Sequence, residues 1–321
     1  METPLTRDAG IRVPLICGAM YPCSNPELVA AVSEAGAIGI VQPIALTYVH
    51  GHEFRAGLRL IKSVTAKPFG MNALIEDSSS IYRRRMEQWI AVALEEGVRF
   101  FVTSLGNPGW VVRMVEPVGG IVYHDVTERK WAEKGAAAGA KGFIAVNRRA
   151  GGHAGPRDAA ALLAELSPFG LPVVAAGGVG TAEEFRAMLD LGYVGVQCGT
   201  RFIATSECLV SEHYKRAILA ADEEDIVLSE RITGVPVAVI RTPKVVRMGL
   251  HAGPFARWMF RGRRRKRWLR MWYALRSIRS LKLASLDPKG GDEYWQAGKS
   301  VAGITSIEPA GEIVRAFARA L

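Results

Sequence analysis

The sequence predicts an α/β protein of the (β/α)8 type, a TIM barrel with a mostly helical C-terminal extension, on three observations. Eight short apolar runs alternate with longer amphipathic stretches, the runs are continuously apolar, and most are followed by glycine or a small polar residue. Continuous apolarity is the mark of strands covered by helices on both faces of a parallel sheet. Eight repeats in roughly 200 residues fit a closed barrel better than an open doubly wound sheet. Alternation alone admits both.

The runs span residues 13–20, 37–41, 68–75, 100–105, 120–126, 142–146, 172–176 and 195–198. Between the first two, Pro26-Glu27-Leu28-Val29-Ala30-Ala31-Val32 follows Asn25, a good N-cap, and a helix started there closes at Gly36. Thr181 with Glu184 caps another helix, ended by Leu189 and Gly192. After Phe202 the rhythm changes: residues 206–225 read as helical, 231–250 as irregular or extended, and 257–284 as a basic helix or helix pair. Ile313, Phe317 and Leu321 have the four-residue spacing of a helix face that packs back on the barrel. The expected division is a barrel core over 1–205, an insertion over 206–300, and a C-terminal helix within 301–321.

The chain has 321 residues, 49% hydrophobic and 22% charged, enough for a sizeable core. Its first residues lack the pattern of a secretory signal, and no uncharged apolar run reaches the ~18 residues of a membrane span, so a cytoplasmic protein is expected. Cys17, Cys23, Cys198 and Cys208 form no Cys-x-x-Cys pair or zinc-like spacing. That argues against a disulfide framework or a metal site, and Cys17 and Cys198 read as small core residues.

The residues just past each run belong together, because barrel sites lie at the carboxyl ends of the strands. They are Gly18-Ala19-Met20, Gln42, Asn72, Gly106-Asn107, His124-Asp125, Gly151-Gly152-His153, Gly177-Gly178 and Gly199-Thr200. This set is rich in glycine and poor in charge, suiting a face that admits a large flat cofactor. Gly177-Gly178 and Gly199-Thr200 follow the seventh and eighth runs, where barrels often build phosphate sites from backbone N–H groups. With no acidic pair or nucleophile elbow, a hydrolase lacks machinery. A phosphate-bearing redox cofactor asks mainly for orientation and one proton-transfer group.

His153 is the candidate for that group, the alternative being a turn residue bonded to a carbonyl. The missing Cβ atoms around it would let a ligand approach closely. His124 reads more readily as structural, with Asp125 either orienting it or capping the next helix. His50 and His52 could line the mouth.

In this order, Gly18-Ala19-Met20, Pro68-Phe69-Gly70-Met71-Asn72, Ala150-Gly151-Gly152-His153-Ala154-Gly155, Ala175-Ala176-Gly177-Gly178-Val179 and Gln197-Cys198-Gly199-Thr200-Arg201-Phe202 resemble the FMN-dependent nitronate monooxygenases and the related flavin-dependent enoyl-acyl-carrier-protein reductases. The likeness resumes at Trp295-Gln296-Ala297-Gly298-Lys299-Ser300-Val301-Ala302-Gly303. The resemblance implies a barrel with FMN across its carboxyl face. It implies that Gly177, Gly178, Gly199 and Thr200 hold the phosphate, and that Ala19, Met20, Asn72, Gly151 and Gly152 border the ring. His153 would be the acid/base.

The implied reaction is oxidation of alkyl nitronates with O2. The alternatives are NAD(P)H-dependent reduction of an enoyl thioester and, from another class, a barrel that only binds a phosphoryl ligand. Arg149 departs from the acidic residue frequent in the family, and either it or Arg148 could favour an anionic substrate or a cofactor phosphate.

The net charge of +10 is uneven. From Arg231 to Leu286 there are fifteen Lys or Arg and no acid, and removing them leaves 26 basic against 31 acidic residues. On a helix, Trp268, Met271, Trp272, Leu275 and Ile278 share one face, which would pack on the barrel or on a second subunit, leaving a homodimer open. An acyl carrier protein, coenzyme A or an anionic membrane surface would suit the arginines; no reader motif points to specific nucleic acid.

Overall fold

The computed structural model describes residues 1–76, 79–231, 235–251, 281–286 and 294–321. Eight parallel strands close into a barrel in sequence order: β1 (Leu15–Cys17), β2 (Ile38–Val41), β3 (Gly70–Ile75), β4 (Phe100–Leu105), β5 (Ile121–Val126), β6 (Gly142–Val146), β7 (Val173–Ala176) and β8 (Val196–Cys198). Closure is made by β1 on β8, with Leu15 opposite Val196 and Cys17 opposite Cys198. The register supplies what alternation alone left open.

The interior holds Ile16, Ile38, Ile40, Phe100, Val102, Tyr123, Ile144, Val174 and Ala176. Short helix α1 (Pro4–Ala9) adds Leu5 and Ala9 to this cluster at the amino end. There Asp8 accepts from the Tyr123 hydroxyl at 2.8 Å. A plugged floor leaves the carboxyl end as the open mouth.

Covering helices are α2 (Pro26–Glu34), α3 (Phe54–Val64), α4 (Ser80–Glu95), α5 (Gly109–Val115), α6 (Arg129–Ala137), α7 (Ala159–Leu166) and α8 (Ala182–Leu191). Helix α8 starts as expected, on a Thr181 and Glu184 capping box, and ends at left-handed Gly192. Asn25 is the N-cap residue of α2, as expected, but its side chain makes no cap hydrogen bond. Its amide instead donates to Glu27 at 2.7 Å and to the Glu207 carbonyl at 2.8 Å, and accepts from Leu209 N, so the side chain pins a later loop. A distant backbone partner outcompeted the local one.

Past the barrel, α9 (Thr200–Ile203) and α10 (Glu212–Ala220) precede an antiparallel hairpin, β9 (Ile226–Ser229) with β10 (Val237–Ile240), then α11 (Pro243–Met248). The helical expectation for 206–225 narrows to α10 and a short turn, and 231–250 contains a strand and a helix. Most of the basic segment 257–284, including Trp268, Met271, Trp272, Leu275 and Ile278, lies outside the described residues. Of its end, Leu281 packs with Val237, Val239 and Val245, while Lys282 donates to the Tyr48 carbonyl at 2.7 Å.

The C-terminal helix Ala310–Arg319 buries Ile313, Val314 and Phe317, and Phe317 lies 5.1 Å from Phe185 of α8. It packs back on the barrel as its spacing predicts. All four cysteines are buried and free, and burial raises the thiols of Cys17 and Cys198, in keeping with core residues. Among the described residues, no helix is long and apolar enough to cross a membrane and no cluster could hold a metal.

Candidate active site

Strand alternation sorts the residues at the mouth. In β5, Tyr123 belongs to the interior, so Asp125, two residues on, shares its inward face, and His124 faces out. An added Cβ on Gly135 of α6 would lie 3.0 Å from the His124 ring, whose Nδ1 is 2.9 Å from the Thr103 hydroxyl. Burial pushes the His124 pKa down to about 4. His124 is therefore a neutral core residue. Asp125 does not orient it, and the N-cap of α6 is Glu128.

Asp125 is the residue the sequence reading undervalued. Its Oδ1 is buried without a hydrogen-bond partner, and burial raises its pKa to about 7. Gln197 stands likewise on β8, between outward Val196 and Cys198, with Oε1 buried and unpartnered. Its side chain fills the space beside Gly18, where an added Cβ would lie 2.9 Å from Cδ. On β3, Asn72 turns inward between Met71 and Ala73, and its amide reaches the Val102 carbonyl only at 3.4 Å. Three strands thus present polar groups with bonding capacity to spare, and buried polar atoms are rarely left so.

On the opposite flank the glycine loops pack on one another. A Cβ on Gly177 would lie 2.5 Å from Ala150 N, one on Gly178 2.4 Å from Arg149 Nε, and one on Gly151 2.9 Å from Gly298 N. At these three positions the missing Cβ admits neighbouring protein. Asn147, buried after β6, joins two of the loops by donating to the Gly177 carbonyl at 2.9 Å and accepting from Arg149 N at 2.8 Å. The N–H groups of Gly177, Gly178 and Gly199 donate to no backbone carbonyl among the described residues. Those of Gly180 and Thr181 are taken by Glu184 at 2.7 and 3.2 Å. Anion-binding capacity is therefore left at Gly177-Gly178 and Gly199.

Gly177→Ala tests this packing. With φ at +112° and a backbone atom in the way, alanine should cost about 3 kcal/mol, read by urea denaturation. Cofactor retention should fall with it.

The two phosphate-side loops meet the rest of the site. Gly199 faces Met20, whose sulfur would lie 3.5 Å from an added Cβ, and the Thr200 hydroxyl accepts from Gly298 N at 2.9 Å. Lys299 N donates to the Arg149 carbonyl at 2.8 Å, and Ala238 N of the hairpin donates to the Gly152 carbonyl at 2.8 Å. Segment 295–299 and the hairpin thus brace the loop that bears His153. Arg149 is occupied by Glu223 at 2.5 Å and Glu184 at 3.7 Å, so it is an ion-paired strut over Gly178.

His153 is solvent-accessible, yet surrounding protein lowers its pKa from the ordinary 6.5 by desolvation. No hydrogen bond engages its ring among the described residues, so it is not the carbonyl-bonded turn residue of the alternative reading. His50 is such a residue: its Nε2 lies 3.1 Å from the Pro22 carbonyl. Desolvation by the surrounding protein favours the uncharged ring.

A nitronate monooxygenase family model matches residues 2–318. A Mycobacterium tuberculosis relative named (3aS,4S,5R,7aS)-5-hydroxy-7a-methyl-1-oxo-octahydro-1H-indene-4-carboxyl-CoA dehydrogenase is 32% identical over 262 residues, covering 80% of this chain and 71% of that protein. A nitronate monooxygenase of Pseudomonas aeruginosa is 31% identical over 261 residues, covering 68% of this chain and 74% of its own. Among solved structures, FabK from Thermotoga maritima superposes with a TM-score of 0.81 at 28% identity, covering 100% of this chain and 96% of that one. With the barrel, the ordered loops and a match over nearly its whole length, the chain belongs to the nitronate monooxygenase family and is an oxidoreductase.

Proposed function

We propose that the chain is an FMN-dependent oxidoreductase in which His153 moves a proton at a substrate carbon acidified by a neighbouring electron-withdrawing group. His153 itself carries the reading: an accessible, unbonded imidazole of lowered pKa stands on the rim of a mouth lined by underused polar groups. Those groups fit the cofactor. The free N–H groups of Gly177, Gly178 and Gly199 would take the FMN phosphate, with the Thr200 hydroxyl, which keeps its O–H after accepting from Gly298. Asn72, Asp125 and Gln197 would bond the polar edge of the flavin ring, while Ala19, Met20, Gly151 and Gly152 would border it. FMN, when bound, supplies the electron-transfer chemistry.

Nitronate oxidation with O2 is the first reading, supported by the family model and the Pseudomonas relative. His153 would deprotonate a neutral nitroalkane at the carbon bearing the nitro group. Redox chemistry beside a thioester carbonyl is the second, supported by the mycobacterial relative's name and by the resemblance to enoyl reductases. A barrel that only binds a phosphoryl ligand loses support from membership of an enzyme family.

O2 uptake with an alkyl nitronate, measured beside NAD(P)H consumption with an enoyl thioester, separates the readings. Activity is expected on one of them. A flavin-loaded chain inactive toward both would overturn both substrate assignments.

A further inference from the structure

In the closed ring, β3 and β4 lie across the mouth from β7 and β8, with two strands intervening on either side. The loop after β4, helix α5 and the first turn of α4 line an open, surface cavity of about 250 Å3 with Arg83, Asn107, Gly109, Trp110 and Arg113. Its volume suits a charged head group better than a whole ligand. Nothing in the proposed flavin site uses it.

The cavity offers mostly donors. Arg113 has no carboxylate partner among the described residues, whereas Arg83 holds Glu87 at 3.1 Å while its guanidinium lies 5.2 Å from the Trp110 ring centroid. The Trp110 indole nitrogen is buried with no acceptor. Asn107 spends its Oδ1 on Gly109 N at 2.8 Å, which leaves its NH2 as the group still able to bond. Two guanidinium groups and an amide NH2 line the cavity, with the buried, unpartnered Trp110 N–H beside them, and together they call for a compact anion with several acceptor oxygens.

Leu105 is the last residue of β4, two residues before Asn107 of the cavity. It has φ at +75°, in the left-handed region that a branched side chain avoids, and it is 56% exposed. Strain of this kind at the carboxyl end of a barrel strand persists where the surroundings hold it for use. The turn made here lies two residues before Asn107, which lines the cavity.

We propose that the cavity receives a phosphate ester on the tail of the reacting ligand, which spans the carboxyl face from His153 to Arg83 and Arg113. The orientation of that ligand rests on the flavin reading above; the anion site does not. Two ligands carry such a phosphate at the right chemistry: coenzyme A in an acyl thioester, and NADPH as reductant. Each has a counterpart lacking only that phosphate, which separates the sources.

The test is isothermal titration of the FMN-loaded protein with coenzyme A, dephospho-coenzyme A, NADPH and NADH, on the wild type, Arg113→Ala and Trp110→Phe. At least one phosphorylated ligand should bind about tenfold tighter than its counterpart, as loss of a charge-assisted contact implies. That preference should vanish in Arg113→Ala and shrink in Trp110→Phe, which keeps the ring and removes the N–H. Failure of coenzyme A and NADPH to bind, equal binding of both members of each pair, or a preference untouched by Arg113→Ala would overturn the proposal. Flavin content and turnover report separately: a chain that takes no FMN but keeps the preference refutes the flavin reading alone, and an active flavoprotein without the preference refutes the anion site alone.

Discussion

His153→Ala should retain FMN and the native fold while lowering kcat/KM on a neutral nitroalkane, or on a thioester whose reaction needs proton transfer, by roughly 10²- to 10⁴-fold. The ring is accessible and makes no hydrogen bond among the described residues, so its removal breaks no bond in the site. The pH profile gives a second readout. Desolvation lowers the imidazole pKa, so the wild-type acid limb should fall below the ordinary 6.5, with activity lost as pH drops through the lowered pKa. The variant should lack this limb. A preformed nitronate, already deprotonated, should be less affected than the neutral compound, and equal loss on both would assign His153 a role other than base.

Asp125→Asn has the second large effect, on stability, and its sign follows from burial. The carboxyl pKa rises from the usual 3.8 to about 7, so the native state keeps a proton that the unfolded chain has lost between those values. Its contribution is fully present below pH 3.8 and is lost as pH rises through 7. The full shift corresponds to about 4 kcal/mol, and asparagine, which carries no charge, escapes the loss. Flavin-free Asp125→Asn should therefore be more stable than wild type in urea at pH 8 and close to it at pH 4. FMN affinity should fall about tenfold at pH 8 if the carboxylate bonds the flavin edge. A variant less stable at pH 8 would show that the carboxyl has a partner that stabilises its charged form.

Much of this was legible beforehand, for reasons tied to particular residues. The strands were readable because each is buried on both faces and so stays apolar from end to end. The Thr181 and Glu184 cap was readable because its partners are three residues apart. Asn25 was readable as the N-cap position of α2, but not the partners of its side chain, since Glu207 and Leu209 are far along the chain. Of the β9–β10 hairpin only β10 fell in a stretch read as irregular or extended, because the pair leans on Leu281 and Trp295, far along the chain.

Asp125 shows why the site itself was harder. In β5 the apolar residues occupy both faces, so nothing in the local pattern says whether His124 or Asp125 looks into the barrel. Histidine beside aspartate looks like a pair, yet the two point to opposite sides of one strand.

The sequence by itself determined the set of strands, the glycine loops that follow them, and His153 among those loops. Chain-local patterns encode these, because apolar runs, caps and turns are decided within a few residues. Only the tertiary structure decided that the sheet closes, that Asp125 and Gln197 face a shared mouth with unpartnered oxygens, and that Gly151, Gly177 and Gly178 let neighbouring loops pack closely. Those outcomes depend on register between β1 and β8 and on which atoms distant loops bring within 3 Å, and neither is written in any single stretch of chain.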